Sequence, residues 1–155
     1  MRYLPLLIVF VASLSACKKD KFTTAPQIKF KSISPDNAAS DLTFNQRQFA
    51  PKLTIEITDA EGDVGLVPNI DTSRIYIKNL LLNKLDSFDM PEALPGTKNF
   101  KANVEINLYN TLGCRLVGPP RPRTDTIYYE VYVKDFAKNK SNVITTDKPV
   151  YYRCL

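Results

Sequence analysis

The sequence predicts an all-β protein, built as an antiparallel β-sandwich of about seven strands. Three observations lead there. From residue 27 onward, apolar and polar residues alternate in runs of five to nine; clusters of Pro, Asn, Asp and Gly separate the runs; and no long stretch carries the spacing of an amphipathic helix. A strand with one apolar face needs a second sheet to cover it, so two packed sheets are the economical arrangement.

Taken in order, Ile28 and Phe30 open a first strand that ends at the turn cluster Ser34-Pro35-Asp36-Asn37. Lys52 to Thr58 alternates with Leu53, Ile55 and Ile57 on one face, and Ser73 to Ile77 repeats the pattern through Ile75 and Ile77. The longest run sets Phe100, Ala102, Val104, Ile106 and Leu108 against Lys101, Asn103, Glu105 and Asn107. Thr126 to Val133 places Ile127, Tyr129, Val131 and Val133 inward and Tyr128, Glu130 and Tyr132 outward. Ser141 to Thr146 and Val150 to Tyr152 close the chain as one bent strand or two short ones. Between them, Asn79 to Asn99 fits either a helical turn through Leu80, Leu81, Leu82 and Leu85 or a hairpin folding at Asn83-Lys84; Pro91 and Pro95 stop anything regular much beyond it. Those leucines read first as core or edge packing and second as an exposed partner patch. Gly118-Pro119-Pro120-Arg121-Pro122-Arg123 reads as a stiff exposed connection, with an acidic partner or lipid head group as the alternative use of its arginines.

The N-terminus has a different texture. One basic residue, Arg2, precedes an apolar run from Leu4 to Leu14, which is the build of a secretory signal and too short to span a bilayer. Leu14-Ser15-Ala16-Cys17 then resembles a lipobox, the site where bacterial lipoprotein processing acylates the cysteine, with chains such as palmitate, and cuts before it. The division expected is a signal peptide over 1–16, a lipidated tether over 17–26 and a single domain over 27–155. By the same resemblance, Lys18 in place of an aspartate favours the outer membrane and leaves its periplasmic or external face open. The polar stretch Lys18 to Pro26 reaches roughly 30 Å when extended.

Composition narrows the chemistry. Removing residues 1–16 takes away Arg2 alone, so the formal charge of +5 falls to +4; the basic residues are scattered, and no nucleic-acid partner is expected. With no histidine, the commonest general base and most zinc sites are gone; with no tryptophan, a carbohydrate-stacking role is weakened. Once Cys17 is lipidated, Cys114 and Cys154 remain as an even pair in an oxidising compartment, and a disulfide between them is expected to clamp the last strand.

Two loops carry the remaining chemistry. Asp59-Ala60-Glu61-Gly62-Asp63-Val64-Gly65 follows a strand and offers carboxylates at alternate positions, and Asp135 to Asn142 joins the last two long strands. Turn chemistry on a solvated rim is the plainer reading of both. The alternative is a weak calcium site on Asp59, Glu61 and Asp63, with Asp135 and Asn139 as further ligands if the strand order brings them close and Asp71 as another source of oxygen. The first loop resembles the Asp-Gly-Asp-Gly-Asp-Ile-Gly loop of many small bacterial lipoproteins. The strands Thr124–Asp135 and the hairpin Asn139-Lys140-Ser141-Asn142-Val143 resemble a pair that recurs in immunoglobulin-like and fibronectin-like bacterial domains. The resemblance implies an immunoglobulin-like sandwich at the cell envelope, with two departures here: Glu61 for the middle aspartate and Lys138 where glycine is usual. The function expected is a non-catalytic, lipid-anchored binding or accessory module with an unidentified protein or glycan partner and no required cofactor. The alternative is a carbohydrate-binding accessory lipoprotein using outward tyrosines such as Tyr128 and Tyr132. Glu61 and Asp63 are a carboxylate pair suited to acid–base work, but nothing in the sequence marks the concave polar pocket that hydrolysis needs, so no enzyme is expected.

Overall fold

The computed structural model describes residues 22–67, 71–90 and 98–155, with the backbone alone at 66, 67 and 71. The expected signal segment, Cys17 and the first part of the expected tether lie outside the described residues, as do Pro91 and Pro95. Among the described residues, no helix is long and apolar enough to cross a membrane.

The chain is an all-β sandwich. Its strands are β1 (Gln27–Ser34), β2 (Asn37–Ala39), β3 (Lys52–Asp59), β4 (Leu66–Val67), β5 (Asp71–Thr72), β6 (Arg74–Asn79), β7 (Lys84–Asp89), β8 (Phe100–Asn107), β9 (Arg123–Ile127), β10 (Tyr129–Lys134), β11 (Ile144–Thr145) and β12 (Val150–Cys154). The first sheet runs β1-β3-β8, the second β11-β10-β6-β7 and a third β2-β12-β9, with β4-β5 as a two-residue ladder. All pairings are antiparallel except β2 on β12. Among the described residues the expected seven strands become twelve because β2, β4, β5 and the hairpin strand β7 are added and because the run from Thr126 to Val133 divides at Tyr128. There β9 ends in the third sheet and β10 begins in the second.

The alternation seen in the sequence becomes the core. Leu53, Ile55 and Ile57 on β3 face Ile106, Val104 and Ala102 on β8, while Ile75 and Ile77 on β6 face Val133 and Val131 on β10. Buried residues from all three sheets form one hydrophobic cluster, with Leu53, Ile55, Ile57, Ile77, Val131 and Val133 fully inaccessible. Removing that much apolar surface from water is the main favourable term of the fold. Residues 79–90 settle as a hairpin: Asn83 takes φ 54°, and the buried Asn79 side chain accepts from Leu82 N (3.0 Å) and donates to the Thr111 carbonyl (2.8 Å). Leu81 packs against the core, whereas Leu80 and Leu85 are exposed.

Two polar clusters fasten neighbouring segments. On the outer face of the first sheet, Glu56 lies under Lys31 (3.1 Å), Lys29 and Lys101 (each 3.7 Å). The Lys31 hydrogen bond, backed by the charges of the other two lysines, outweighs burial and holds its carboxyl below the usual range. At the third sheet, Cys154 on β12 forms a disulfide with Cys114 in the loop before β9, with Cα atoms 5.9 Å apart, as the cysteine count predicts. Beside it the buried Asp125 accepts from Arg115 N (3.0 Å), from the Arg115 guanidinium (Nε 3.1 Å, Nη2 3.0 Å) and from Arg123 Nε (3.3 Å). Burial pushes the Asp125 carboxyl up, but the hydrogen bonds from Arg115 and Arg123 overcome it and leave the group lowered. The Pro-Arg connection is exposed and its arginines are spent within the chain: Arg121 donates to the Leu155 carbonyl (3.2 Å) and Arg123 to that of Pro119 (2.7 Å).

Candidate metal centre

The chain leaves β3 at Asp59 and must turn at once, which Gly62 allows with φ 73°. Asp59 Oδ1 accepts from the backbone N–H groups of Glu61 (2.9 Å) and Gly62 (2.5 Å), closing the turn, and the buried Val64 pins the loop into the core. Ser73 holds the far side, accepting from Gly65 N (3.2 Å) and donating to the Asp63 carbonyl (3.3 Å). From the second sheet, β10 ends at the buried Asp135, whose carboxylate accepts from Asn139 N (2.7 Å) and Asn139 Nδ2 (2.9 Å) across a hairpin in which Lys138 takes φ 67°. Phe136 N donates to the Asp63 carbonyl (3.1 Å) and stitches the two loops together.

This geometry sorts the residues expected from the sequence. One carboxylate oxygen from each of Asp59, Asp63 and Asp135 lies within 4.8 Å of the others. Asp59 and Asp135 are fully buried and Asp63 half-buried. Glu61 is a correction: it is exposed, stands outside this group, and contributes its backbone N–H to Asp59 instead. Asn139 fixes the Asp135 carboxylate through its side-chain amide. Asp71 contributes backbone pairing to Val67, and its side chain lies outside the described residues. Burial, together with the negative charges of Asp135, Asp59 and Glu61, pushes the Asp63 carboxyl up to about 6. Asp59 Oδ2 and Asp63 Oδ1 are buried with no hydrogen-bond partner among the described residues.

The other grouping of metal-ligand types, Cys114, Asp125 and Cys154, has both sulfurs in a disulfide and its carboxylate on two arginines, so it offers no thiolate. The surface tyrosines are also partly committed. Tyr132 stacks on Tyr76 (centroids 4.6 Å, planes 8° apart) with Lys140 4.2 Å over its ring, while Tyr128 stands exposed where β9 passes into β10. A feature the sequence reading missed is an open cleft of about 300 Å³ lined by Phe44, Arg47, Phe88, Asn107, Tyr109 and Asn110. It is made by the 3-10 turn Phe44–Phe49 lying against the end of β8, where Asn107 Nδ2 donates to the Arg47 carbonyl (2.8 Å). The exposed Phe44 in a stretch without alternation was the only local sign of it.

No family model matches the sequence, and no curated protein matches it. Among solved structures the chain is similar to the crystal structure of a Beta-glucosidase from Kluyveromyces marxianus, at 11% identity and a TM-score of 0.29, over 85% of this chain and 15% of that one. The chain thus spans about 15% of that protein, and a likeness of this size carries no argument about activity.

Proposed function

We propose that the chain is a non-catalytic cell-envelope protein, held at the outer membrane by acyl chains on Cys17 and serving there as a binding or accessory module. The observation that carries this reading is the sequence Leu14-Ser15-Ala16-Cys17 after a short apolar run. The way the tether meets the sandwich fits it. Ala60 N donates to the Thr23 carbonyl (3.0 Å), and Asn142 grips Ile28 through both backbone groups (2.7 and 3.0 Å), so the N-terminal segment is bonded to the domain from Thr23 onward. The six residue steps from Cys17 to Thr23 span at most about 20 Å, which holds the end carrying Asp59, Asp63 and Asp135 close to the bilayer. Two or more acyl chains give stable anchoring. Detergent phase partitioning tests it. The wild-type protein enters the detergent phase, and Cys17→Ser stays aqueous or unprocessed; partitioning unchanged by Cys17→Ser sinks the reading.

A second reading, carbohydrate binding, is favoured by the cleft rather than by Tyr132. Phe88 and Tyr109 offer apolar ring surface to a sugar's C–H face beside Phe44, whose own ring carries the Arg47 guanidinium 4.1 Å from its centroid, and Asn110 adds a polar group for hydroxyls. A glycan array with the wild type and Tyr109→Ala checks it: a retained glycan lost in the variant supports this reading, and no retained glycan removes it.

A further inference from the structure

We propose that Asp59, Asp63 and Asp135 bind a calcium ion that staples the first sheet to the second at the end where the tether enters. The three carboxylates come from two loops distant in sequence, one following β3 and one following β10, yet an oxygen of each lies within 4.8 Å of the others. Convergence alone would be a cluster of acids. The independent observation is Asp59: the residue is fully buried, its Oδ1 is taken up by two backbone N–H groups, and its Oδ2 is buried with no hydrogen-bond partner among the described residues, as is Asp63 Oδ1. A fold does not leave a buried carboxylate oxygen unsatisfied without cost, and an ion at the meeting point of the three groups satisfies it and cancels their mutual repulsion.

The donor set identifies the ion class. All three ligands are hard carboxylate oxygens, with neither imidazole nor thiolate among them, which suits calcium and argues against zinc or copper. The carboxylates of Asp59 and Asp135 are held by backbone N–H groups and by Asn139, so they cannot rearrange freely into the tight octahedron that magnesium demands. Waters complete the shell on the Asp63 side, where the group is only half-buried. With three protein carboxylates and an open side, the affinity belongs with extracellular modules, at a dissociation constant on the order of 10⁻⁴–10⁻³ M.

The test is calcium titration of the full-length, detergent-solubilised protein after chelator treatment, read by calorimetry and by thermal melting. A single binding event is expected, and calcium at tenfold excess over its dissociation constant raises the folded-to-unfolded ratio about elevenfold, a melting shift of several degrees. Asp63→Asn keeps the side-chain shape, removes one charge, and is expected to melt no lower than the wild type in chelator while losing the calcium shift. Asp59→Asn is the second variant, with the same loss. No heat and no melting shift at 10-fold molar ratios reaching about 10 mM calcium, an equal response to magnesium, or a shift retained in both variants overturns the proposal.

Discussion

At the residue scale, backbone conformation and carboxylate environment decide what each position tolerates. Gly62 and Lys138 both sit in the left-handed region, at φ 73° and 67°, but only one is glycine. Gly62→Ala is therefore expected to cost about 1–2 kcal/mol, because it forces a Cβ into that conformation in a turn whose N–H groups hold Asp59. Lys138→Gly relieves the same strain, and its urea midpoint is expected to rise while that of Gly62→Ala falls. The two lowered carboxyls set the acid response. Glu56 and Asp125 have folded-state values below their unfolded ones. Their contribution is present above the unfolded values, near 4.5 and 3.8, and is lost as pH falls through the folded ones. Melting temperature is thus expected to drop below about pH 4, and Asp125→Asn, already weakened at neutral pH, is expected to show a flatter decline. Of the acidic site, the sequence made Asp59 and Asp63 legible because a strand running into Asp-x-x-Gly must turn. It misplaced Glu61, because alternate spacing along a chain says nothing about direction once Gly62 has bent the backbone.

At the element scale, period-two alternation was readable wherever a strand buries one face. Lys52–Asp59 and Phe100–Asn107 lie where the pattern put them, and Ile55 and Val104 meet across the ladder. The division at Tyr128 was hidden for a physical reason. A strand that changes sheets without inserting a residue keeps its parity, so Ile127 and Tyr129 are both fully buried although they belong to different sheets. The three-residue β2 was equally invisible, since a short parallel pairing to β12 is made by backbone groups and needs no side-chain pattern. The last strand depends on a cross-link as well as on packing: Cys114 and Cys154 close a loop with a sequence separation of 40 and hold the end of β12. Replacing both by serine is expected to lower unfolding stability by about 3–4 kcal/mol, through the loop entropy returned to the unfolded chain. Urea denaturation with and without reductant checks this, since reductant should destabilise the wild type and leave the double variant unmoved.

At the scale of the whole molecule, both ends of the described chain are fastened to the sandwich: Ala60 N donates to the Thr23 carbonyl, and the disulfide beside Asp125 holds the end of β12. The order of strands within the sheets was not legible, because alternation fixes which face of a strand is buried and not which strand lies beside it. That order is what brings Asp135 to Asp59 and Asp63, so the sequence could name Asp135 as a candidate only on the condition that strand order brought it there. The proposed membrane address, in contrast, rests on the residues up to Cys17 alone, which lie outside the described residues. The central claim, a lipid-anchored and disulfide-closed sandwich, is tested most directly by intact-mass analysis of the protein extracted from membranes. The account predicts the mass of residues 17–155 plus covalent acyl groups, lighter by two hydrogens until reductant is added. A mass that retains residues 1–16, or a mature chain without acyl groups, contradicts it.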